Sequence, residues 1–246
     1  MQLNQTIGIV GFGDFGTFLC DLARTNLPNT VVKVFSSRFE PDTVTFFPLE
    51  DVCKSDILIL CVPISAFQDL VTKIKPLLGE HTIVCDVATV KKYPISILRE
   101  SAIPRFIATH PMFGPYSYEK LGKSLKGLRI AVCDSSLSQD EYANAINFFG
   151  DIGLTVLEMT PDEHDKLIAE TLFLTHLVGQ IVKQGKFERT SIDTISFGFL
   201  MDAAESVAHD DFLFRDVFKY NPYCREVLKR FESVENMIAA SLQEGY

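Results

Sequence analysis

The chain has no surplus of positive charge, no paired cysteines at metal-ligating spacing and no apolar run long enough to span a bilayer. Each absence removes a class of function. Lys and Arg number 23 against 32 Asp and Glu, a formal net charge of −9, whereas a nucleic-acid partner needs a basic face. A small anionic substrate is not excluded, since it responds to local fields rather than to the net value. The six cysteines (Cys20, Cys53, Cys61, Cys85, Cys133, Cys224) form no Cys-x-x-Cys and have no histidines at matching spacing, so no metal site is expected. Several lie in apolar runs such as residues 57–62, where free cysteine behaves as a small hydrophobe. Six reduced, structural thiols in the cytoplasm are the expectation. No stretch reaches the roughly 18–20 apolar residues of a membrane span. Residues 1–6 show no basic segment followed by an apolar one, so no targeting peptide is expected. Internal repeats and low-complexity tracts are missing too.

What is present reads as two domains of modest size. Of 246 residues, 47% are apolar and 22% charged, enough for cores of ordinary density. Short apolar runs at 6–10, 31–35, 56–62 and 82–86 alternate with helical patterns, one from about Ser65 to Leu78. That alternation suits a parallel sheet covered on both faces. Further strands are expected at 106–108, 128–133 and 154–157, with a helix around 139–149. After Thr160-Pro161-Asp162-Glu163, a good helix start, only helical periodicity follows, broken most clearly at Asn221-Pro222. The fold class is therefore α/β. A doubly wound domain over 1–158 is followed by an all-helical domain over 159–246.

The first strand runs into Gly11-Phe12-Gly13-Asp14-Phe15-Gly16, the spacing of a dinucleotide-binding (Rossmann) turn. Its first glycine permits the tight turn, its second lets backbone approach a pyrophosphate, and its third packs helix on strand. The helix N-terminus then offers N–H groups and partial positive charge to the phosphates. The third strand's end, Cys61-Val62-Pro63, lies beside this loop in such a fold and is counted with it. An enzyme using NAD usually carries a carboxylate about 20 residues past the glycines to hold the ribose 2′-hydroxyl. Here the second strand ends instead in Ser36-Ser37-Arg38, which suits a 2′-phosphate, so NADP is expected over NAD. Two more segments begin at strand ends, where open α/β sheets place ligands: Asp86-Val87-Ala88-Thr89-Val90-Lys91 and Thr109-His110-Pro111-Met112-Phe113-Gly114-Pro115.

These segments, with Glu163-His164-Asp165 following in order, resemble the prephenate/arogenate dehydrogenase family. The motifs are most similar to its plant-type arogenate branch, which shares the Ser-Arg ending of strand two. Relatives of Phe173-Leu174-Thr175-His176-x-Val178-Gly179, Ile192-Asp193-Thr194 and Phe218-Lys219-Tyr220-Asn221 extend the likeness from about residue 6 to 230. The resemblance implies oxidative decarboxylation of a cyclohexadienyl acid in tyrosine biosynthesis, with hydride passing to the nicotinamide. It gives His110 the role of base for the ring hydroxyl and Thr89 that of an orienting hydroxyl. It counts Lys91, with Asp86, in the same motif and His176 in the substrate pocket. It also implies a homodimer formed through the helical domain.

Some positions depart from the family pattern. Ile195 stands where bacterial members carry a carboxylate-binding arginine, Tyr116 replaces a common acid, and Leu172 a polar residue. Arg215 and Arg225 are the candidates to replace the missing guanidinium. Without that arginine, and with acids such as Asp165 available to an ammonium, arogenate is expected over prephenate. Two other readings stand beside this one. The first is a different small-acid or imine dehydrogenase, whose catalytic lysine would have to be Lys166 or Lys183. The second is a non-catalytic NADP-binding regulatory module.

Overall fold

The computed structural model describes residues 5–244; the reading of residues 1–4 lies outside them. The chain divides into two compact units, Met1–His164 and Asp165–Tyr246.

The first unit alternates strands and helices: β1 (Thr6–Val10), α1 (Asp14–Asn26), β2 (Val31–Phe35), α2 (Leu49–Val52), β3 (Ile57–Leu60), α3 (Phe67–Ile74), β4 (Ile83–Asp86), α4 (Lys92–Glu100), β5 (Phe106–Pro111), α5 (Pro115–Lys120), β6 (Arg129–Ser135), α6 (Gln139–Asp151) and β7 (Thr155–Glu158). They build one seven-stranded sheet in the order β2-β1-β3-β4-β5-β6-β7. Ile9, Val34, Leu58 and Val84 have no exposed surface, as strands covered on both faces require. The order reverses direction at β1, so the crevice outside the carboxyl ends of β1 and β3 is the position where such sheets bind ligands.

Three expectations about this unit need correcting. The sheet is not wholly parallel, because β5 and β6 run antiparallel. The chain returns between them through the short α5, without the crossover helix that a parallel partner needs. That partner also lengthens β5 past residue 108, so His110 and Pro111 lie within the strand rather than in the loop after it. The helix expected over 65–78 is α-helical only at Phe67–Ile74, flanked by 3₁₀ turns at Ile64–Ala66 and Lys75–Leu77. Pro76 has no N–H to continue the α pattern.

The units part between His164 and Asp165, later than the expected boundary at 158. Helix α7 (Pro161–Ile168) starts as the sequence suggests, with Thr160 and Glu163 exchanging a capping box. Its first turn is tied to the first unit by the Lys92–Asp162 ion pair at 2.7 Å and by a contact of His164 described below.

Among its described residues the second unit has helices and no strand: α8 (Leu174–Gln184), α9 (Ile195–Val207), α10 (Asp211–Tyr220) and α11 (Cys224–Glu244). A π turn at Ala169–Phe173 leads into α8. Gly179 lets α8 and α9 approach closely, since a Cβ there would lie 2.5 Å from Val207 Cγ2. No helix among the described residues is long and apolar enough to cross a membrane.

Candidate active site

Each glycine of the first loop has its own geometric reason. Gly11 has φ +105°, and a Cβ on it would overlap the Cys61 carbonyl. A Cβ on Gly16 would overlap the Gly11 carbonyl, where α1 packs against β1. Around Gly13 a Cβ would meet nothing within 4 Å. The first and third glycines are thus demanded by the protein itself, whereas the second faces open space that a bound group could fill. Gly13 is also the N-cap of α1 and has no side-chain cap hydrogen bond, so first-turn N–H groups are available to an anion. Asp14, exposed in that turn, adds a negative charge that an anion must tolerate. Phe15 is half-buried beside it, 6.0 Å from the Phe18 ring.

The end of β2 is drawn to this loop. Ser36 is buried and its hydroxyl accepts from Arg38 N at 3.3 Å, while Ser37 is exposed. The Arg38 guanidinium donates to the Phe12 carbonyl and lies 5.9 Å over the Phe39 ring. Phe39 stacks on Phe46 with centroids 4.6 Å apart, and Phe12 meets both edge-on. Arg38 therefore sits at the glycine loop with its side chain exposed. Cys61, Val62 and Pro63 line the neighbouring end of β3, with Cys61 N donating to Val10 O at 2.8 Å. All six cysteines are free. Burial pushes the Cys61 thiol far up and that of Cys85 up to about 11, so neither is a ready thiolate.

Further along the same sheet edge lies a buried polar cluster. Asp86, at the end of β4, and Lys91 form an ion pair with no exposed side-chain surface. Lys91 Nζ also donates to the Thr109 carbonyl, and Asp86 Oδ1 accepts from Ala88 N at 2.8 Å. The Thr109 hydroxyl donates to the Asp86 carbonyl at 2.8 Å. These bonds fasten the end of β4 and the loop after it to β5. Burial pushes the Asp86 carboxyl up, and the Lys91 ammonium pulls it back. Lys91, counted with the site motif in the sequence, is enclosed here with Asp86 and the Thr109 carbonyl as partners.

His110 follows directly. Its pairing with β6 slips between Ala108 and Thr109: Ala108 faces Asp134 and Thr109 faces Val132, leaving Cys133 as an extra residue and His110 opposite Ala131. Such bulges recur beside functional sites. His110 is 6% exposed, and its Nδ1 lies 2.9 Å from Nε2 of His164, itself 1% exposed. Burial, reinforced by the charges of His164 and Lys91, holds the His110 imidazole well below the usual histidine value. At neutral pH it is an uncharged base. Thr89 is half-buried in the loop after β4, and no hydrogen bond joins it to His110. His164 was not singled out from the sequence, beyond its place in a motif. Its one local signal is a position one turn into a capped helix.

The second unit holds the other expected residues. His176 is 3% exposed, parallel to Phe214 with centroids 6.3 Å apart, and its Nδ1 is buried without a hydrogen-bond partner. Burial lowers its pKa, against the pull of Asp210. Arg215 and Arg225 are both exposed, the second lying 5.7 Å over the Phe218 ring. Asp165, expected as an acid open to an ammonium, has no exposed surface, and its backbone carbonyl takes the Asn221 amide at 2.7 Å. Lys183 bonds Asp211 at 3.1 Å and Lys166 lies 5.3 Å from the Tyr223 ring centre. Neither is placed as an enclosed catalytic lysine.

Residues 42–156 match the family model described as the prephenate dehydrogenase nucleotide-binding domain, and residues 181–245 match one described as the TYRAAT1-like C-terminal domain. The chain is 30% identical to arogenate dehydrogenase 1, chloroplastic, of Arabidopsis thaliana, over 92% of its own length and 38% of the relative's. It thus spans under half of that relative. It is 27% identical to arogenate dehydrogenase 2, chloroplastic, of the same plant, over 98% of its length and 72% of the relative's. The chain is thus similar to the prephenate/arogenate dehydrogenase family over nearly its whole length. The family's fold is evident as well in prephenate dehydrogenase from A. aeolicus, solved with hydroxyphenyl propionate and NAD+. There the TM-score is 0.74 at 19% identity, covering 98% of this chain and 91% of that one.

Proposed function

We propose that the protein is an NADP-dependent arogenate dehydrogenase, oxidising and decarboxylating arogenate in preference to prephenate in tyrosine biosynthesis. The observation that carries this reading is an uncharged, buried histidine, His110, on the same sheet edge as the open glycine cradle. Gly11 to Gly16, Cys61 to Pro63 and the first turn of α1 would hold the dinucleotide. Ser36, Ser37 and Arg38 would take its 2′-phosphate, because arginine meets phosphate with paired, charge-assisted bonds. A bound nicotinamide supplies the hydride acceptor. His110 takes the proton of the ring hydroxyl as the hydride leaves its carbon. The ring carboxylate departs as CO2, leaving its bonding pair in the ring, and the proton is returned to the phenol oxygen. Thr89 orients the substrate hydroxyl.

The preference for arogenate is supported by the likeness to the two Arabidopsis arogenate dehydrogenases; Ile195 leaves the side-chain carboxylate, common to both acids, without the family's guanidinium. Arg215, Arg225 and His176 are the groups of the helical unit assigned to the substrate's charged ends. The same unit exposes Ile195 and Phe199 on α9 and Met237 and Leu242 on α11, apolar surface that a second copy of the chain would cover in a homodimer. Six free thiols suit a reducing compartment such as the cytoplasm.

The test is NADPH or NADH formation by the purified protein with arogenate and with prephenate, each offered both cofactors. The expected result is the highest kcat/KM for arogenate with NADP. A higher value for prephenate overturns the substrate assignment, and no turnover with either overturns the activity.

A further inference from the structure

A hydrogen bond between two imidazoles constrains both rings. His110 Nδ1 and His164 Nε2 lie 2.9 Å apart, with both rings buried. One nitrogen must donate and the other accept, so the rings adopt complementary tautomers. Two arrangements exist. If His164 donates, the His110 proton sits on Nε2, which then cannot accept a proton. If His110 donates from Nδ1, its Nε2 carries a bare lone pair.

The surroundings favour the second arrangement as His110 charges. Lys91 opposes a positive imidazole at His110, as a charged His164 would, so the acceptor role belongs to the uncharged His164 ring. The buried carboxylate of Asp86, on β4, acts electrostatically on His164 and pulls positive charge towards it. A His110 ring that has taken a second proton at Nε2 is therefore stabilised by donating Nδ1–H to a His164 ring lying in the field of Asp86. The sequence separates His110 from His164 by 54 positions. Strand β5 and the first turn of α7 bring them together.

We propose that His164 is a positioning residue for His110: it accepts the Nδ1–H hydrogen bond and so keeps Nε2 of His110 free as the base. This rests on the activity proposed above, but the tautomer can be read without substrate.

The test uses the whole chain as His164→Leu, which removes the acceptor, and His164→Gln, whose Oε1 falls near the position of the imidazole Nε2. Histidine ¹⁵N NMR, with His110→Asn for assignment, reports the tautomers. In the unmutated protein and in His164→Gln, His110 should show a protonated Nδ1 and a pyridine-like Nε2. In His164→Leu the two tautomers should mix. Kinetically, His164→Leu should lower kcat by about ten- to a hundredfold, the worth of one charge-assisted hydrogen bond. KM and cofactor affinity should stay near their starting values. His164→Gln should restore most of that loss.

An unmutated protein with the His110 proton on Nε2 overturns the proposal. So does a His164→Leu protein that keeps its kcat, or a Gln variant no better than Leu. Should the Leu variant not fold, the tautomer in the unmutated protein and in the Gln variant decides. If neither substrate turns over, the activity reading fails alone, and the NMR result still judges the pair.

Discussion

Replacing Gly13 with alanine separates what the fold needs from what a ligand needs. Gly13 has φ −84° and ψ −167°, open to any L-residue, and a Cβ there meets nothing within 4 Å. The free protein should change by no more than about 1 kcal/mol, since alanine restricts the unfolded chain but caps α1 less well than glycine. The new methyl group stands where a pyrophosphate must come up to the first-turn N–H groups of α1. Losing one such charge-assisted bond costs about 1.5–3 kcal/mol, roughly ten- to a hundredfold in NADP affinity. Gly11→Ala is the contrast. Its φ of +105° and the overlap with the Cys61 carbonyl should destabilise the free protein by about 1–3 kcal/mol or more. Urea unfolding without ligand and fluorescence titration with NADP measure the two quantities independently. If Gly13→Ala binds NADP as the unmutated protein does, the pyrophosphate does not lie in this cradle. If it unfolds as readily as Gly11→Ala, the open space at Gly13 is misjudged.

Arg38→Ala should weaken NADP about ten- to a hundredfold while barely changing NAD; equal losses by titration would refute the phosphate role. His110→Asn should keep NADP binding and lower kcat by about 10²–10⁴-fold. Because burial lowers the His110 pKa, the acid limb of kcat/KM should fall below the ordinary histidine value of about 6.5 and vanish in the variant. The sign for stability agrees: a histidine kept neutral in the fold contributes stability above about pH 6.5 that is lost as the unfolded chain takes up protons at lower pH. Lys91→Met would strand the Asp86 carboxylate where neither partner has exposed surface, costing about 3–5 kcal/mol by urea unfolding. A cost within about 0.5 kcal/mol, usual for a surface substitution, would show the pair to be dispensable.

The readable parts of the sequence were those whose signal is local. A short apolar run, Thr6 to Val10, followed by three spaced glycines specifies β1, its turn and α1 with little outside help. The Thr160–Glu163 box likewise marks the start of α7. The antiparallel turn of β6 was not readable, since a strand's apolar pattern is the same in either direction. His110 was found, but its containment in β5 depends on hydrogen bonds from β6. The enclosure of Lys91 and Asp165 was not readable, because burial of a charge depends on how the elements pack; Lys91 is held by Asp86 and the Thr109 carbonyl. His164 was missed as a participant for the same reason: its partner is 54 positions away and no periodicity encodes the pairing.

The extra residue in β6 has a consequence for the room around the base. Directly opposed residues on antiparallel strands share a face, with Cβ atoms about 4.5–5.5 Å apart. Had the ladder continued unbroken from Ala108 and Asp134, His110 would stand opposite Val132, and a branched side chain would crowd the imidazole. With Cys133 set into the strand as a surplus, its neighbour is Ala131, a single methyl group. Clearance for the ring thus comes from Cys133 being left out of the pairing with β5. A shift that paired Cys133 with Thr109 would bring Val132 against the histidine, whereas deleting residue 133 would keep Ala131 there and remove only the bulge.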